Sequence, residues 1–175
     1  MSKIIDRVAG DVVHSAPHFM AAQMMIVHLH RGQTYGERPY YLHPIEVMFE
    51  LMEFGETEIG RGFVDDAWVI AAMLHDTVED TPMTVEAIEQ IFDKEVATIV
   101  DLLTKRDELT YRENIERIIE TGNVGAILVK LADNRVNLRN SPRDSLIGRY
   151  TMSISMLTDE LISLGVLNTP EDDVS

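Results

Sequence analysis

The sequence contains no cysteine among its 175 residues, so neither a disulfide nor a thiolate zinc site can form. This absence agrees with a reducing compartment. Long apolar runs are absent too: the first residues lack the uninterrupted apolar stretch of a secretory signal, and no window approaches the roughly 20 apolar residues that a bilayer-spanning helix needs. We therefore expect a cytoplasmic protein without a membrane partner.

Basic residues are scarce. The chain has 15 Lys and Arg against 30 Asp and Glu, which gives a formal net charge of −15. General nucleic-acid binding depends on neutralising phosphates with Lys and Arg, so this balance argues against a nucleic-acid partner. A small anionic substrate stays open, because a bound metal and a few local cations reverse the field inside one pocket.

The apolar residues recur at three- and four-residue steps, which is typical of helices, and no strand-like alternation extends over four residues. We predict an all-α helical bundle that forms a single compact domain over residues 1–175, with Thr84 as an N-cap. The predicted helices cover residues 16–30, 43–54, 65–75, 84–91, 93–104, 110–121, 124–139 and 143–164. Residues 32–41 are predicted to be a loop, and 170–175 a frayed tail.

One run combines apolar and ionisable residues in an unusual way. The apolar residues 71–74 end at His75 and Asp76, and Glu79 and Asp80 follow four positions later, about one helical turn. Burying four ionisable groups is costly unless a cation or a substrate compensates them. The alternative is a helix that ends in solvent, with these side chains as ordinary cap residues.

Two further residues extend this pattern. Asp133 follows six residues with only one charge, an unusual place for a carboxylate on an exposed face. An ion pair with Lys130 or Arg135 is the structural alternative, and His43, before Pro44, is open to a capping or core role. Two imidazoles and two carboxylates together suit Mn²⁺, Fe²⁺ or Zn²⁺ better than Mg²⁺ or Ca²⁺.

Six stretches carry a more specific pattern: His30-Arg31-Gly32-Gln33, Pro39-Tyr40-Tyr41-Leu42-His43-Pro44, the run 71–81, Leu103-Thr104-Lys105, Lys130-Leu131-Ala132-Asp133 and Asn137-Leu138-Arg139. The order of His43, His75-Asp76 and Asp133 resembles the HD-domain metal-dependent phosphohydrolases. The surrounding sequence, over about residues 17–140, is similar to the (p)ppGpp hydrolase domain of RelA/SpoT proteins and its small stand-alone relatives.

This resemblance implies Mn²⁺ as the cofactor, with Fe²⁺ or Zn²⁺ as alternatives. It implies four metal ligands: His43, His75, Asp76 and Asp133. Glu79 and Asp80 would be the catalytic pair that activates water and steadies the substrate. The implied reaction removes the 3′-pyrophosphate from ppGpp or pppGpp. Lys130 and Asn137 match positions near the nucleotide pocket of the family.

The chain departs from the family pattern after Gly32-Gln33, where relatives usually carry a basic residue. Here residues 34–38 are one position shorter, which leaves Tyr35 to stack on a base and Arg38 to swing in, or Tyr35 simply to pack in the loop. A substrate such as the 2′-phosphate of NADPH, or a non-catalytic nucleotide-binding role, therefore stays open. Met and Leu residues in 150–167 suggest a surface for a homo-oligomer.

Overall fold

The computed structural model describes residues 2–59, 64–140 and 143–168, without the side chains of residues 2–15. Within these ranges the chain forms nine helices and one short hairpin, which confirms the all-α prediction. The helices are α1 Ser2–Leu29, α2 Leu42–Thr57, α3 Asp66–Leu74, α4 Thr77–Asp80, α5 Val85–Ile91, α6 Lys94–Leu103, α7 Tyr111–Glu120, α8 Val124–Arg139 and α9 Asp144–Ser163. No helix among these residues is long and apolar enough to cross a bilayer.

The predicted loop 32–41 contains a small antiparallel hairpin. Its strands, β1 Thr34–Tyr35 and β2 Arg38–Pro39, pair Thr34 with Pro39 and Tyr35 with Arg38. Two residues per strand are too few for a sequence alternation to reveal, since that signal needs four or more residues. The predicted frayed tail 170–175 lies outside the described residues.

The prediction that Pro17 opens the first helix is wrong, because α1 begins at Ser2 and Pro17 lies inside it. Proline lacks the N–H that bonds one turn back and usually ends or bends a helix, which is why a boundary was expected there. Apolar residues at helical spacing, Ile4, Val8 and Val12, precede the proline and favour helix on its N-terminal side.

Seven of the other helices agree with the predicted ranges to within a few residues, whereas α4 was not predicted. Side chains cap the N-termini of five of these seven helices. The residues that accept a hydrogen bond from a first-turn N–H are Asp65, Thr84, Asp93, Thr110 and Asn123. The predicted cap Thr84 is thus confirmed. Thr110 and Glu113 form a reciprocal capping box at the start of α7.

Two buried helices organise the core. α3 is buried at almost every position, and α8 is buried from Gly125 to Ala132 except at Lys130. α2 packs against both of them. α3 and α8 also lie close together, because a Cβ added at Gly125 of α8 would come within 2.7 Å of the Trp68 side chain on α3. This packing brings the start of α2, the end of α3 and the middle of α8 to one place.

The expected exposed apolar face on the last helix is present only in part. Leu157 and Leu161 are fully buried against the core, although Leu164 is 42% exposed. Large exposed apolar side chains lie instead mainly on α1 and α2: Met20, Met24, Val27, Phe49 and Met52. Self-association through this segment therefore stays a prediction that fewer exposed apolar residues support.

Candidate metal centre

α3 delivers His75 and Asp76 at its C-terminal end. His75 is 3% exposed, and its Nδ1 lies 2.8 Å from the carbonyl oxygen of Ala72, to which it donates. In the neutral imidazole, the form that binds a metal, that bond places the lone pair on Nε2, a buried atom without a hydrogen-bond partner. The Asp76 Oδ2 atom lies 3.0 Å from it. A backbone carbonyl that fixes the tautomer in this way is typical of a metal-binding histidine.

His43 and Asp133 approach the same point from two other helices. His43, in the first turn of α2, places its Nε2 3.2 Å from Asp133 Oδ1 and 3.8 Å from Asp76 Oδ2. Asp133 Oδ1 is also 3.8 Å from His75 Nε2. Four side chains from three helices thus converge, and both imidazoles present Nε2 to both carboxylates.

The spacing suits a single cation. Metal–ligand bonds of about 2.0–2.2 Å put neighbouring ligand atoms roughly 3.0–3.5 Å apart. Ligand atoms of His43, His75 and Asp76 all lie within 4.8 Å of one another. Asp133 Oδ1 lies 3.2 Å from Nε2 of His43 and 3.8 Å from Nε2 of His75, and its role as a fourth ligand stays a prediction. The donor set of these residues fits a divalent metal ion.

Burial disfavours the charged form of each ionisable group in this cluster, but the attraction between neighbouring groups of opposite charge outweighs it. Against burial, the carboxylates of Asp76 and Asp133 raise the pKa of His75. Again against burial, His75 lowers the pKa of Asp76, and the Lys130 ammonium with both imidazoles lowers the pKa of Asp133. The two carboxylates are therefore ionised, which is the form that binds a cation.

The predicted catalytic pair lies beside the cluster on α4, with both side chains exposed. Glu79 Oε2 accepts a hydrogen bond of 3.0 Å from the backbone N–H of Lys105. The backbone N–H of Asp80 donates to the carbonyl of Asp76 at 2.9 Å, so one helical turn joins Asp80 to a residue of the cluster. The catalytic role of the pair stays a prediction.

Three of the four predicted substrate residues contact the cluster. The ring of Tyr35 stacks on that of His43, with centroids 5.2 Å apart, and its hydroxyl donates to Asn137 Oδ1 at 2.9 Å. Asn137 Nδ2 in turn donates to Asp133 Oδ1 at 2.6 Å, and Lys130 Nζ lies 2.8 Å from Asp133 Oδ2. The alternative ion pair of Asp133 with Lys130 is therefore present as well.

The fourth predicted residue, Arg38, points elsewhere. Its guanidinium lies 2.6 Å from Glu46 Oε1 on α2, and the side chain is 53% exposed. This ion pair turns the charge of Arg38 toward α2. The structure therefore does not bring Arg38 into the cluster, and its role in substrate binding stays a prediction.

Sequence reasoning missed Tyr40. Its hydroxyl donates to Asp76 Oδ2 at 2.6 Å. Burial first, and then the carboxylates of Asp76 and Asp80, raise the pKa of the Tyr40 phenol far above its usual range, so it remains a hydrogen-bond donor. A tyrosine in a loop carries no spacing signal, and only its place in the stretch 39–44 pointed toward it.

Sequence reasoning also missed a cationic cavity next to the cluster. The cavity measures about 210 Å³, and Asp76 and Glu79 form part of its wall. Its basic lining residues are Lys105, Arg117, Lys130 and Arg149. They come from separate segments, so their proximity is not visible in the sequence. Two larger cavities, of about 870 and 1000 Å³, lie against α1 and α2 and include none of the clustered residues.

Known proteins resemble this chain in both sequence and structure. The bifunctional (p)ppGpp synthase/hydrolase SpoT of Escherichia coli K12 is 37% identical over 120 residues, which are 63% of this chain and 16% of SpoT. The GTP pyrophosphokinase of Myxococcus xanthus is 31% identical over 166 residues, 84% of this chain and 21% of that protein. This chain therefore spans about a sixth to a fifth of the length of these relatives.

A solved structure of a metazoan ortholog of SpoT, described as hydrolysing ppGpp, superposes with a TM-score of 0.66 at 29% identity. The match covers 82% of this chain and 85% of that one. A model of the HD domain matches residues 21–154, which include all four clustered side chains. The chain belongs to the HD-domain family and is homologous to the RelA/SpoT hydrolases.

Proposed function

We propose that this protein is a metal-dependent phosphohydrolase that removes the 3′-pyrophosphate from ppGpp or pppGpp. The observation that carries the proposal is the convergence of two imidazoles and two ionised carboxylates, 3.0–3.8 Å apart, beside a cavity lined by basic side chains. The bifunctional synthase/hydrolase SpoT and the metazoan structure described as hydrolysing ppGpp support the same substrate class.

We infer that His43, His75, Asp76 and Asp133 hold Mn²⁺. The set of two nitrogen and two oxygen donors suits Mn²⁺, with Fe²⁺ and Zn²⁺ as the alternatives. When bound, such an ion supplies Lewis acidity toward a phosphoryl oxygen and lowers the pKa of water. The hydroxyl of Tyr40 and the amide of Asn137 each orient one carboxylate of the set.

The basic residues of the cavity bind the pyrophosphate in this proposal. Lys105 and Arg149 line the cavity from different segments of the chain, and Lys130 lies between the cavity and Asp133. The chain is strongly acidic overall, with a net charge of −15, so these cations produce a local reversal of sign where a polyanion has to bind. Glu79, on the wall of the same cavity, is placed to accept a proton from the attacking water.

The reaction is a hydrolysis in which one bond to phosphorus forms and one breaks. Water attacks the phosphorus attached to the ribose 3′ oxygen, and its proton passes to Glu79 or Asp80. The bond from phosphorus to the 3′ oxygen breaks, and that oxygen takes up a proton from the same acidic pair. The products are GDP or GTP and pyrophosphate, so atoms and charge balance without a redox partner.

The assay follows pyrophosphate release from ppGpp by the purified chain in the presence of Mn²⁺. We expect turnover by the wild type and a loss of at least about a thousandfold in Asp76→Ala, since a metal of this kind contributes several kcal/mol to the transition state. Asp159→Ala on α9 is the matched control. Equal rates for the wild type and Asp76→Ala would defeat the proposal.

A second candidate substrate is another nucleotide phosphate, such as the 2′-phosphate of NADPH. The observation in its favour is that the polar groups of the hairpin are already engaged: Tyr35 with Asn137 and Arg38 with Glu46. Such a hairpin offers few hydrogen bonds specific to guanine. A side-by-side panel of ppGpp, NADPH and adenosine analogues distinguishes the candidates, and binding without turnover of any of them would indicate a non-catalytic relative.

A further inference from the structure

Gln33, in the short connection between α1 and β1, joins three segments through four hydrogen bonds. Its side-chain Nε2 donates to the carbonyl oxygen of Asp80 at 3.0 Å, and its Oε1 lies 2.7 Å from His30 Nδ1. Its backbone carbonyl accepts from Tyr40 N–H at 3.0 Å, and its backbone N–H donates to the His30 carbonyl at 3.0 Å. Every polar group of this residue is therefore used.

The bond to Asp80 matters because α4 is only four residues long. The last carbonyl groups of a helix have no partner inside the helix and need one from elsewhere. Gln33 supplies that partner to Asp80 across 47 positions of sequence. The backbone of a predicted catalytic residue is thus fixed by a side chain from the opposite side of the cluster.

His30 fixes the orientation of the Gln33 amide. A backbone carbonyl only accepts, so the amide nitrogen of Gln33 has to face Asp80 and its oxygen has to face His30. His30 Nδ1 therefore carries the proton. His30 is 1% exposed, so water does not compete for this bond. His30 and Gln33 lie in one tight turn because Gly32 between them adopts φ +83°, a conformation that other residues rarely adopt.

The other branch leads to a residue of the metal cluster. Tyr40, whose N–H is bound by Gln33, donates its hydroxyl to Asp76 Oδ2 at 2.6 Å. The rings of His30 and Tyr40 pack with their centroids 4.8 Å apart. Gln33 is therefore hydrogen-bonded directly to Asp80, and it is linked to Asp76 through Tyr40.

We propose that Gln33, held by His30, is a positioning residue that sets Asp80 and Tyr40 relative to Asp76. This inference rests on the proposed function, because its kinetic meaning requires that Asp80 take part in hydrolysis. Gln33 itself contacts none of the four clustered side chains among its hydrogen bonds in the described part of the chain. It acts through the backbone of Asp80 and through Tyr40.

The kinetic test is a double-mutant cycle. Gln33→Met keeps the length of the side chain and removes its two side-chain hydrogen bonds, to Asp80 and His30, while the backbone bonds to His30 and Tyr40 remain. We expect kcat for ppGpp to fall about tenfold or more with KM changed less than about twofold, as for other residues that orient metal ligands. In an Asp80→Asn background the same exchange should cost less than about twofold, because neighbours that act together are not additive.

Equal losses in both backgrounds would overturn the inference, since a purely structural role would weaken both enzymes alike. Gln90→Met, the same exchange on the exposed face of α5, is the control and should leave kcat unchanged. If Gln33→Met fails to fold, Gln33→Glu provides the second variant: it keeps the acceptor and loses the donor to Asp80. We expect the same loss of kcat from it, and wild-type kcat in Gln33→Glu would equally contradict the inference.

A second readout does not need activity. The amide of Asp80, bonded to Asp76 at 2.9 Å, should exchange hydrogen for deuterium at least about fivefold faster in Gln33→Met, while the amide of Thr104 at the end of α6 keeps its rate. Unchanged exchange at Asp80 would overturn the inference. A wild type that hydrolyses no nucleotide would defeat the proposed function and leave this measurement to decide the positioning role.

Discussion

The two sides of the metal cluster differ in chemistry. On one side, the cavity between α4, α7 and α8 is lined by basic side chains, among them Lys105 and Arg149. On the other side, the hairpin presents the neutral aromatic rings of Tyr35 and Tyr40. Asp76 belongs to both sides, since it lines the cavity and accepts from Tyr40. A substrate with a charged end and a planar neutral end matches this division, so under the proposed function separable sets of residues would recognise the two ends.

The largest effect is expected at the cluster that both sides share. Asp133→Ala should reduce kcat at least about a thousandfold. It should also lower the free energy of unfolding by about 3 kcal/mol, because the mostly buried ammonium of Lys130 loses its partner. The double variant Lys130→Met/Asp133→Leu should recover most of the stability but none of the activity. Chemical denaturation and the pyrophosphate assay measure the two effects, and recovery of both would contradict a ligand role for Asp133.

The next largest effect concerns the cationic side. Lys105→Met and Arg149→Met should each raise KM for ppGpp about tenfold, because a hydrogen bond to a charged phosphate contributes about 1.5–3 kcal/mol. The effect should shrink as salt rises. Arg112→Met is the control, since Arg112 lies on the exposed face of α7 and pairs with Glu116. A fall in kcat at constant KM would place these residues in the chemical step instead.

On the aromatic side, Tyr40→Phe should mainly affect kcat, by about tenfold. The exchange keeps the ring and removes the 2.6 Å hydrogen bond that orients Asp76. Its neighbour Tyr41→Phe provides a matched control that should leave kcat unchanged. Steady-state kinetics on both variants measure the difference, and an effect on KM alone would assign Tyr40 to binding.

The smallest effect is expected for Tyr35→Phe. This variant keeps the ring against His43 and loses one neutral hydrogen bond to Asn137, worth about 1 kcal/mol or less. We expect kcat/KM to fall about fivefold or less. Tyr35→Ala should have a larger effect that depends on the base when ppGpp is compared with its adenosine analogue. An equal loss for both bases would show that the ring supports His43 without contacting the base.

The sequence was sufficient for most of the helices, although not for the start of α1 or for the short α4, and it singled out the residues of the cluster. Buried helices such as α3 have an apolar pattern that ends abruptly at ionisable residues, and Asp133 stands out within an apolar segment for the same reason. Caps such as Thr84 are local signals, since acceptor and donor lie three residues apart. Apolar patterns and N-caps both depend on residues that are close together in the sequence, so the sequence alone reveals them.

Long-range contacts were not predictable in this way. The bond from Tyr40 to Asp76 spans 36 positions, and the ion pair that turns Arg38 toward Glu46 competes with a role at the cluster. The basic residues of the cavity come from segments whose proximity depends on how α7 and α9 pack. Pro17 shows the opposite failure, because a strong local signal was overridden by the helix on both sides of it.

The hairpin shields His43 from solvent on one side. The ring of Tyr35 lies flat against this imidazole, yet the strands that carry Tyr35 comprise only two residue pairs. So short a ribbon has little intrinsic stability and opens far more readily than the surrounding helices unfold. Local opening of residues 34–39 would therefore expose His43 to solvent and small solutes while the helical core stays intact.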